Sequence, residues 1–320
     1  MNGQRAGAVD VEAEPEQGQC LCSQVDPGAM AEAGRLARQG APGAGPAGEA
    51  ADAGEAGRDA GPAQDARLQG HWLLASLGKR VLRPGGRGLT RRLLDRAHPS
   101  SHDRIVEFGP GVGLTAGMLL AVDPVSYTGV DPNPEGRAQL DAVLDGNPRA
   151  RVVTADAAET TLPDASADLI VGEAMLTMCP PAQRRTILAE AWRVLDTGGR
   201  YAVHELALTD QADDPDENAR GPVGRDLSAR IKVGARPLKI AAWRALFEGA
   251  GFEVVWVGCA PMRLLDPGRI IADEGIIGSV RFLNNLRRRP EARRRVHAMR
   301  EGFKAHKDDL TAVGIVLRKP

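Results

Sequence analysis

Residues 106–115 read Val-Glu-Phe-Gly-Pro-Gly-Val-Gly-Leu-Thr and join a short apolar run to a helical segment through three alternating glycines. Glycine lets the backbone turn sharply and lets a ligand approach where a Cβ would collide. A glycine pattern alone is a weak signal, but here a predicted strand precedes it and a predicted helix follows it. The stretch therefore predicts a strand–turn–helix unit that binds a ligand at its turn.

Acidic residues stand at the ends of the next three predicted strands. Asp131 ends the second strand, where its carboxylate can accept hydrogen bonds from both hydroxyls of a ribose. Asp156, followed by Ala157, ends the third strand and can reach an adenine amino group. Glu173 ends the fourth, at the edge where open α/β sheets bind ligands. These positions favour an adenosine-containing cofactor.

Strands and helices alternate beyond the first turn, which is typical of βαβ units and a mainly parallel sheet. Amphipathic helices are predicted over 71–82 and 89–97, before the first strand, and further helices over 181–195 and 240–250. The pattern predicts an α/β fold with helices on both faces of a seven-stranded sheet. The seven strands are predicted at 104–108, 126–131, 151–155, 168–173, 200–206, 252–259 and 311–318.

The first 66 residues are rich in Ala, Gly, Glu, Gln and Pro and carry few large apolar side chains. Such a segment cannot bury enough surface to offset its ordering entropy. We therefore predict disorder over 1–66 and one folded domain over 67–320, which opens with N-terminal helices within 67–102.

Composition excludes several classes of protein. The 41 Lys and Arg nearly balance the 42 Asp and Glu, so no global field attracts nucleic acid or membrane. We expect a cytoplasmic protein, because no stretch approaches the roughly 20 apolar residues of a membrane span and the N-terminus lacks a secretory signal's apolar core. The four cysteines form neither a disulfide framework nor a metal site, so no metal is predicted.

Taken together, Glu-x-Gly-Pro-Gly-x-Gly at 107–113, Asp131, Asp156 and the run Leu-Asp-Thr-Gly-Gly-Arg-Tyr at 195–201 resemble the class I S-adenosylmethionine-dependent methyltransferases. Within that class the chain is most similar to the quinone-biosynthesis C-methyltransferases. The resemblance implies a Rossmann-like seven-stranded sheet whose last strand is antiparallel, and S-adenosylmethionine as cofactor.

The resemblance also implies roles for individual residues. The glycine turn would wrap the amino-acid end of the cofactor, and Glu107 would hold its amino group. Asp131 would bind the ribose, Asp156 and Ala157 the adenine, and Glu173 would flank the sulfonium. The turn residues concerned are Gly109, Gly111 and Gly113.

The same turn argues against a nicotinamide cofactor. Dinucleotide folds usually carry Gly-x-Gly-x-x-Gly to seat a pyrophosphate at the helix N-terminus, whereas here the third glycine comes one residue early. Pro110 also removes one backbone donor that a diphosphate could use.

Candidate catalytic residues lie at the end of the fifth strand. Methyl transfer from a sulfonium needs a base only where a proton must leave the acceptor. His204 and Glu205 are the candidates, and strand alternation allows only one of them to point inward. The alternative is that His204 is a hydrogen-bonded core histidine and Glu205 a solvated or salt-bridged rim residue.

Substrate-contacting residues are predicted at two places. His71 and Trp72 could form part of a lid, although Trp72 could instead anchor its helix in the core. Met175 and Met178 could line an apolar acceptor pocket or serve ordinary packing. Nucleic-acid acceptors are disfavoured, since Met-Cys-Pro-Pro at 178–181 lacks the amide and aromatic that hold a flipped base.

About 50 residues, 260–310, are inserted before the last strand and read as two or three helices rich in Arg. They could form a solvated helical cap, or the basic segment 281–307 could bind an anionic partner such as a phosphorylated substrate, a lipid headgroup or RNA. The sequence favours an enzyme that methylates a small-molecule acceptor. The alternative is a non-catalytic S-adenosylmethionine-binding regulatory or scaffold protein that engages a partner through the insertion.

Overall fold

The structure is a computed structural model that describes residues 62–212 and 221–320. Within these ranges eight strands form one sheet. They are β1 Arg104–Phe108, β2 Ser126–Val130, β3 Ala150–Val153, β4 Ala167–Glu173, β5 Leu195–Leu208, β6 Leu238–Lys239, β7 Glu253–Pro261 and β8 Leu310–Arg318.

The order across the sheet is β3-β2-β1-β4-β5-β8-β7. β1 pairs in parallel with β2 and β4, whereas β8 runs antiparallel to both β5 and β7. The predicted Rossmann-like sheet with an antiparallel last strand is therefore confirmed. Over residues 62–212 and 221–320 the structure has one strand more than the seven predicted: β6, which pairs with the end of β5. The sequence did not indicate it because two residues are too few to show alternation.

The helices of the described ranges stand mainly between strands, and none is long and apolar enough to cross a membrane. They are α1 Pro62–Arg67, α2 Gly70–Ser76, α3 Gly86–Ala97, α4 Leu114–Leu120, α5 Arg137–Leu144, α6 Pro181–Val194, α7 Pro222–Ile231, α8 Ile240–Gly249, α9 Pro267–Arg288 and α10 Pro290–Ala305.

Helices cover both faces of the sheet because successive strand residues point to opposite sides. Val106 and Val203 belong to one buried core, which α6 and α8 complete. Their neighbours Ile105 and Ala202 belong to another, completed by α3, α4 and α5. The edge where the parallel strands end is left for a site.

A third core lies within a helical cap, the name used here for α1, α2, α7, α9 and α10. Leu74, Leu227, Phe282 and Val296 are among the buried side chains that these helices share. The predicted helical insertion is thus present as α9 and α10, and the N-terminal helices pack against it.

The first amphipathic helix is shorter than the predicted 71–82. It ends at Ser76, and Gly78 then takes a φ of 94°, a left-handed conformation that stops the helix. The N–H groups of Arg80 and Val81 donate to Glu274 Oε1 on α9, at 3.0 and 2.9 Å. Residues 80 and 81, which were predicted to be helical, therefore lie past the helix end and are hydrogen-bonded to α9.

The predicted boundary between the disordered segment and the folded domain, after residue 66, lies too far along the chain. Pro62–Arg67 is helical, and the buried Asp65 side chain pairs with Arg289 of the cap. The rest of that prediction, for residues 1–61, lies outside the described residues.

Candidate active site

A cavity of about 350 Å³ lies at the carboxyl ends of β1 to β4. Its wall is formed by the segments that follow these strands: 109–112, 131–133, 156–157 and 174–175. The cap closes the other side, with residues from α2, α7 and α10. The cavity is therefore at the position where open α/β sheets bind ligands.

The glycine turn opens to this cavity at two of its three glycines. Gly109 and Gly111 have φ values of 66° and 54°, and a Cβ built on Gly109 would meet nothing within 4 Å. Gly113 does not line the cavity. Its added Cβ would lie 3.1 Å from Leu140 Cδ1, so Gly113 allows α4 to approach α5, whereas the sequence predicted a place beside the cofactor.

The predicted ribose and adenine residues come together in the same wall. Asp131 is 8% exposed, and its Oδ2 accepts from the N–H of Gly111 at 3.3 Å while Oδ1 accepts from the N–H of Asn133 at 2.9 Å. These bonds fix the carboxylate between the second strand and the glycine turn. Asp156 and Ala157 line the cavity beside them.

Glu107 lines the cavity beneath the turn as a buried carboxyl group. Tyr127 Oη donates a hydrogen bond to its Oε2 at 2.6 Å. Burial raises the pKa of Glu107 to about 8, against the lowering effect of the Tyr127 hydrogen bond. A cation placed next to this carboxyl would favour its ionised form.

Glu173 is the centre of a buried polar cluster at the floor of the cavity. Thr115 donates to its Oε2 at 2.5 Å, Thr90 donates to its Oε1 at 2.7 Å, and Arg83 Nη1 lies 3.1 Å from Oε2. Burial raises the pKa of Glu173, but Arg83 and the hydrogen bond from His204 outweigh it and hold the pKa at about 2. The carboxylate is therefore ionised and its oxygens are occupied.

Arg83 was not predicted from the sequence, because it fell just beyond a run assigned to a helix. Its Nε donates to Thr90 Oγ1 at 2.7 Å, whereas its Nη2 is buried and has no hydrogen-bond partner in the part of the chain that the structure describes. An unpaired buried guanidinium N–H is costly, so a ligand oxygen would be expected to accept from it.

His204 does not reach the cavity, which corrects its prediction as a catalytic base. The side chain is fully buried, with Nδ1 2.9 Å from Glu173 Oε1 and Nε2 2.5 Å from the carbonyl oxygen of Pro84. Both ring nitrogens therefore lie within hydrogen-bond distance of protein oxygens. Neither nitrogen faces the cavity, so His204 is not placed to contact a substrate there.

Glu205 lines the cavity, but its oxygens are also occupied. Oε1 accepts from the N–H groups of Met175 and Leu176 at 3.0 and 2.7 Å. Oε2 accepts from the N–H and the hydroxyl of Thr177 at 3.0 and 2.6 Å. Glu205 thus fixes the turn after β4, and its prediction as a proton acceptor is corrected to a positioning role.

The predicted substrate residues all line the cavity. Met175 and Met178 come from the turn held by Glu205, and His71 and Trp72 come from α2. Trp72 is 9% exposed, and its ring centroid lies 5.0 Å from that of His71. Trp72 therefore also anchors its helix in the core, which was the alternative interpretation of this residue. Burial lowers the pKa of His71 to about 4, which leaves its imidazole neutral near pH 7.

Across residues 62–212 and 221–320 no cluster of three His, Cys, Asp or Glu side chains could hold an ion. The Cys179 thiol donates to the Met175 carbonyl at 3.3 Å, and burial raises the pKa of Cys179 to about 12. It is therefore not a reactive thiolate.

The cavity fits an adenosine-containing cofactor with an amino-acid end. Gly109 leaves open space for such a group, the Glu107 carboxyl lies under it, and Arg83 Nη2 lacks a partner. The sheet order and these strand-end residues define a Rossmann-like cofactor-binding domain.

Comparisons with known proteins identify the family. Residues 106–203 match the model of the methyltransferase domain. An uncharacterised protein of Haemophilus influenzae is 31% identical over 219 residues, which cover 68% of this chain and 84% of that protein. An O-methyltransferase of Pyrenophora dematioidea is 30% identical over 132 residues, which cover 40% of this chain and 48% of that protein.

Solved structures share the fold at low identity. The [4+2]-cyclase SpnF superimposes with a TM-score of 0.60 at 18% identity and covers 78% of this chain and 92% of its own. Phosphoethanolamine N-methyltransferase 2 of Haemonchus contortus, in complex with S-adenosyl-L-methionine, gives a TM-score of 0.56 at 13% identity, covering 81% of this chain and 57% of its own. Residues 106–203 form a methyltransferase domain, and the chain is an S-adenosylmethionine-dependent methyltransferase with S-adenosylmethionine as its cofactor.

Proposed function

We propose that this methyltransferase modifies a small, apolar or amphiphilic acceptor. The observation that carries the proposal is the chemistry of the cavity wall opposite the glycine turn. Apolar side chains from the cap, from the loop between β7 and α9 and from the turn after β4 line it, with few charged groups between them: Met175, Met178, Leu227, Ile231, Met262, Leu264, Met299 and Phe303. Such a wall favours an apolar ligand.

The polar wall would hold the cofactor. Glu107 lies where it could bind the amino group, and Arg83 Nη2 where it could donate to the carboxylate of the same amino-acid end. Asp131 would accept from the ribose, with Asp156 and Ala157 beside the adenine. This arrangement keeps the acidic groups on one side of the cavity and the apolar acceptor on the other.

S-adenosylmethionine supplies a methyl group on a positively charged sulfur, which departs readily in an in-line displacement. The protein's part is then chiefly to align the acceptor and exclude water. Glu205 fixes the turn that carries Met175, and the cap covers the acceptor side. His71 is the candidate to accept a hydrogen bond from the acceptor, since burial lowers its pKa and keeps the imidazole neutral, and no hydrogen bond engages its ring in the described part of the chain.

The acceptor class that we favour is a quinone-like or related ring compound methylated at carbon. Its support is the resemblance of the glycine turn and strand-end acids to quinone-biosynthesis C-methyltransferases, together with the apolar wall. The relative from Pyrenophora dematioidea is an O-methyltransferase, so methylation at oxygen is the second candidate.

The experiment is a label transfer with the full chain and methyl-labelled S-adenosylmethionine. A cell extract is divided into organic-soluble and water-soluble fractions, and each is offered as acceptor. We expect label in the organic-soluble products. Label confined to polar metabolites, protein or RNA would contradict the proposal, and cofactor binding without transfer to any fraction would favour the scaffold alternative. Asp131→Ala, which should weaken cofactor binding, is the negative control.

A further inference from the structure

An exposed apolar face runs along the second half of α9. The helix kinks at Gly275, whose φ of 73° is left-handed, and the face begins at the next residue. Four large apolar side chains there are exposed, at spacings that place them on one side of a helix: Ile276 at 75%, Ile277 at 80%, Val280 at 61% and Leu283 at 49%. The opposite side is used for packing, with Phe282 buried in the cap core.

Exposed basic residues lie along α9 and along the helix that follows it, α10, and we call them the basic border. Arg281, Arg287 and Arg288 are exposed on the same half of α9. On α10, which begins two residues after α9 ends, further cations are exposed: Arg293, Arg294, Arg300 and Lys304. Between residues 276 and 307, all of which the structure describes, Glu301 is the only exposed acid, and Glu291 is half-buried against Arg294.

Not every arginine of the insertion is available to a partner. Arg289 pairs with Asp65, and Arg295 is buried and donates to the carbonyl oxygens of Asp65 and Leu68. These two arginines hold α1 against the end of α9 and the start of α10. The cationic character that remains is that of the exposed border.

We propose that the exposed face of α9, with its basic border on α9 and α10, docks on the surface of an anionic lipid bilayer. Interfacial helices combine large apolar side chains, which enter the headgroup region, with Lys and Arg that face anionic lipids. The four side chains at 276, 277, 280 and 283 supply the first part and the border supplies the second.

Other occupants fit these residues less well. Nucleic acid would engage the arginines but would leave the isoleucines exposed to water. A second copy of the chain, paired face to face about a two-fold axis, would bring two basic borders together. A bilayer satisfies the apolar and the cationic residues at once.

Docking would also bring the cavity close to a lipid phase. The helix α10 that carries part of the border contributes Met299 and Phe303 to the apolar wall of the cavity. This consequence, unlike the docking itself, rests on the proposed function. An apolar acceptor could then reach the site from the membrane.

The test is flotation of the full chain with vesicles of phosphatidylcholine mixed with phosphatidylserine, and with phosphatidylcholine alone. We expect the chain to float with the anionic vesicles and to bind the neutral ones at least ~10-fold more weakly, since each basic residue near an anionic surface adds to binding. The combined variant Ile276→Ser, Ile277→Ser, Val280→Ser and Leu283→Ser should lose ~10-fold or more in partition coefficient.

A matched control uses exposed valines elsewhere, Val125→Ser with Val143→Ser and Val255→Ser, and should bind as the wild type does. Cofactor titration shows that each variant is folded. Wild-type chain that does not float, an apolar variant that floats normally, or a dimer in sedimentation that this variant dissociates would each overturn the proposal. Binding of RNA that survives the apolar variant, without flotation, would do the same. Label transfer to an organic-soluble acceptor measured without vesicles tests the proposed function separately.

Discussion

His204 Nδ1 lies 2.9 Å from Glu173 Oε1, beneath the cavity floor and out of contact with the cavity. Since both ring nitrogens of His204 lie against protein oxygens and neither faces the cavity, we expect the residue to orient Glu173 and not to exchange protons with a substrate. We expect His204→Gln to reduce the free energy of unfolding by about 1–3 kcal/mol, because a buried acceptor loses its donor. The pH profile of methyl transfer, measured on the labelled acceptor fraction, should keep its shape. If the variant loses one limb of the pH profile while its stability is unchanged, His204 acts as a base and this interpretation is wrong.

Glu205 accepts four hydrogen bonds from residues 175–177, and this predicts a stability effect. Glu205→Gln would place an amide N–H₂ against donors of the turn and leave some of them unpaired. We expect a loss of about 2–4 kcal/mol in the free energy of unfolding, measured by urea denaturation. Glu248→Gln on the exposed side of α8 is the control and should change it by less than about 0.5 kcal/mol. An equally small change at Glu205 would mean that the turn does not depend on this carboxylate.

The sequence predicted which strand-end residues line the cavity better than it predicted the surroundings of His204 and Glu205, and the difference has a physical cause. The glycine turn, Asp131 and Asp156 are local features of strand ends, so strand order alone brings them together. The surroundings of His204 depend on Pro84 and Thr90, which contact its ring and come from a segment more than 100 residues away along the chain. Strand alternation predicts that the side chains of residues 204 and 205 point to opposite faces of the sheet. It does not predict that both are buried.

Glu107 predicts a pH dependence of cofactor binding. Burial raises its pKa from 4.5 to about 8, so it is mainly neutral at pH 6 and about half ionised at pH 8. The ionised form should bind the ammonium group of S-adenosylmethionine more tightly. The ratio of the Kd of Glu107→Gln to that of the wild type should therefore rise between pH 6 and pH 8, measured by isothermal titration. Titration of the ligand's own amino group affects the Kd of both proteins equally and therefore cancels in this ratio. A ratio that does not change with pH would contradict the assignment of Glu107 to the amino group of the cofactor.

The same raised pKa has a consequence for stability. The folded chain keeps a proton on Glu107 that the unfolded chain releases near pH 4.5. The stabilisation that protonated Glu107 adds to the free energy of unfolding is fully present below pH 4.5 and is lost as the pH rises through about 8. Glu107→Gln should remove this part of the pH dependence, as thermal melts across the range would show.

The two glycines at the ends of the turn should respond differently to alanine. Gly109 has open space on its cavity side, so Gly109→Ala should lower stability by only about 1–2 kcal/mol, through its left-handed φ, but should weaken cofactor binding about 10-fold or more. Gly113→Ala would in addition press on Leu140 and should lower stability further with less direct effect on the Kd. Titration and denaturation of both variants check this, and equal effects on the Kd would contradict the separation of roles.

Arg83 offers the sharpest test of how the cofactor is oriented. If its unpaired Nη2 donates to the carboxylate of S-adenosylmethionine, Arg83→Gln should raise the Kd about 10-fold or more, as expected for a charged hydrogen bond. Decarboxylated S-adenosylmethionine lacks that carboxylate and should bind wild type and variant with the same affinity. The four Kd values form a cycle whose coupling energy isolates the contact. Arg91→Gln, an exposed arginine of α3, is the control, and a variant that weakens both ligands equally would show that Arg83 acts only through Glu173.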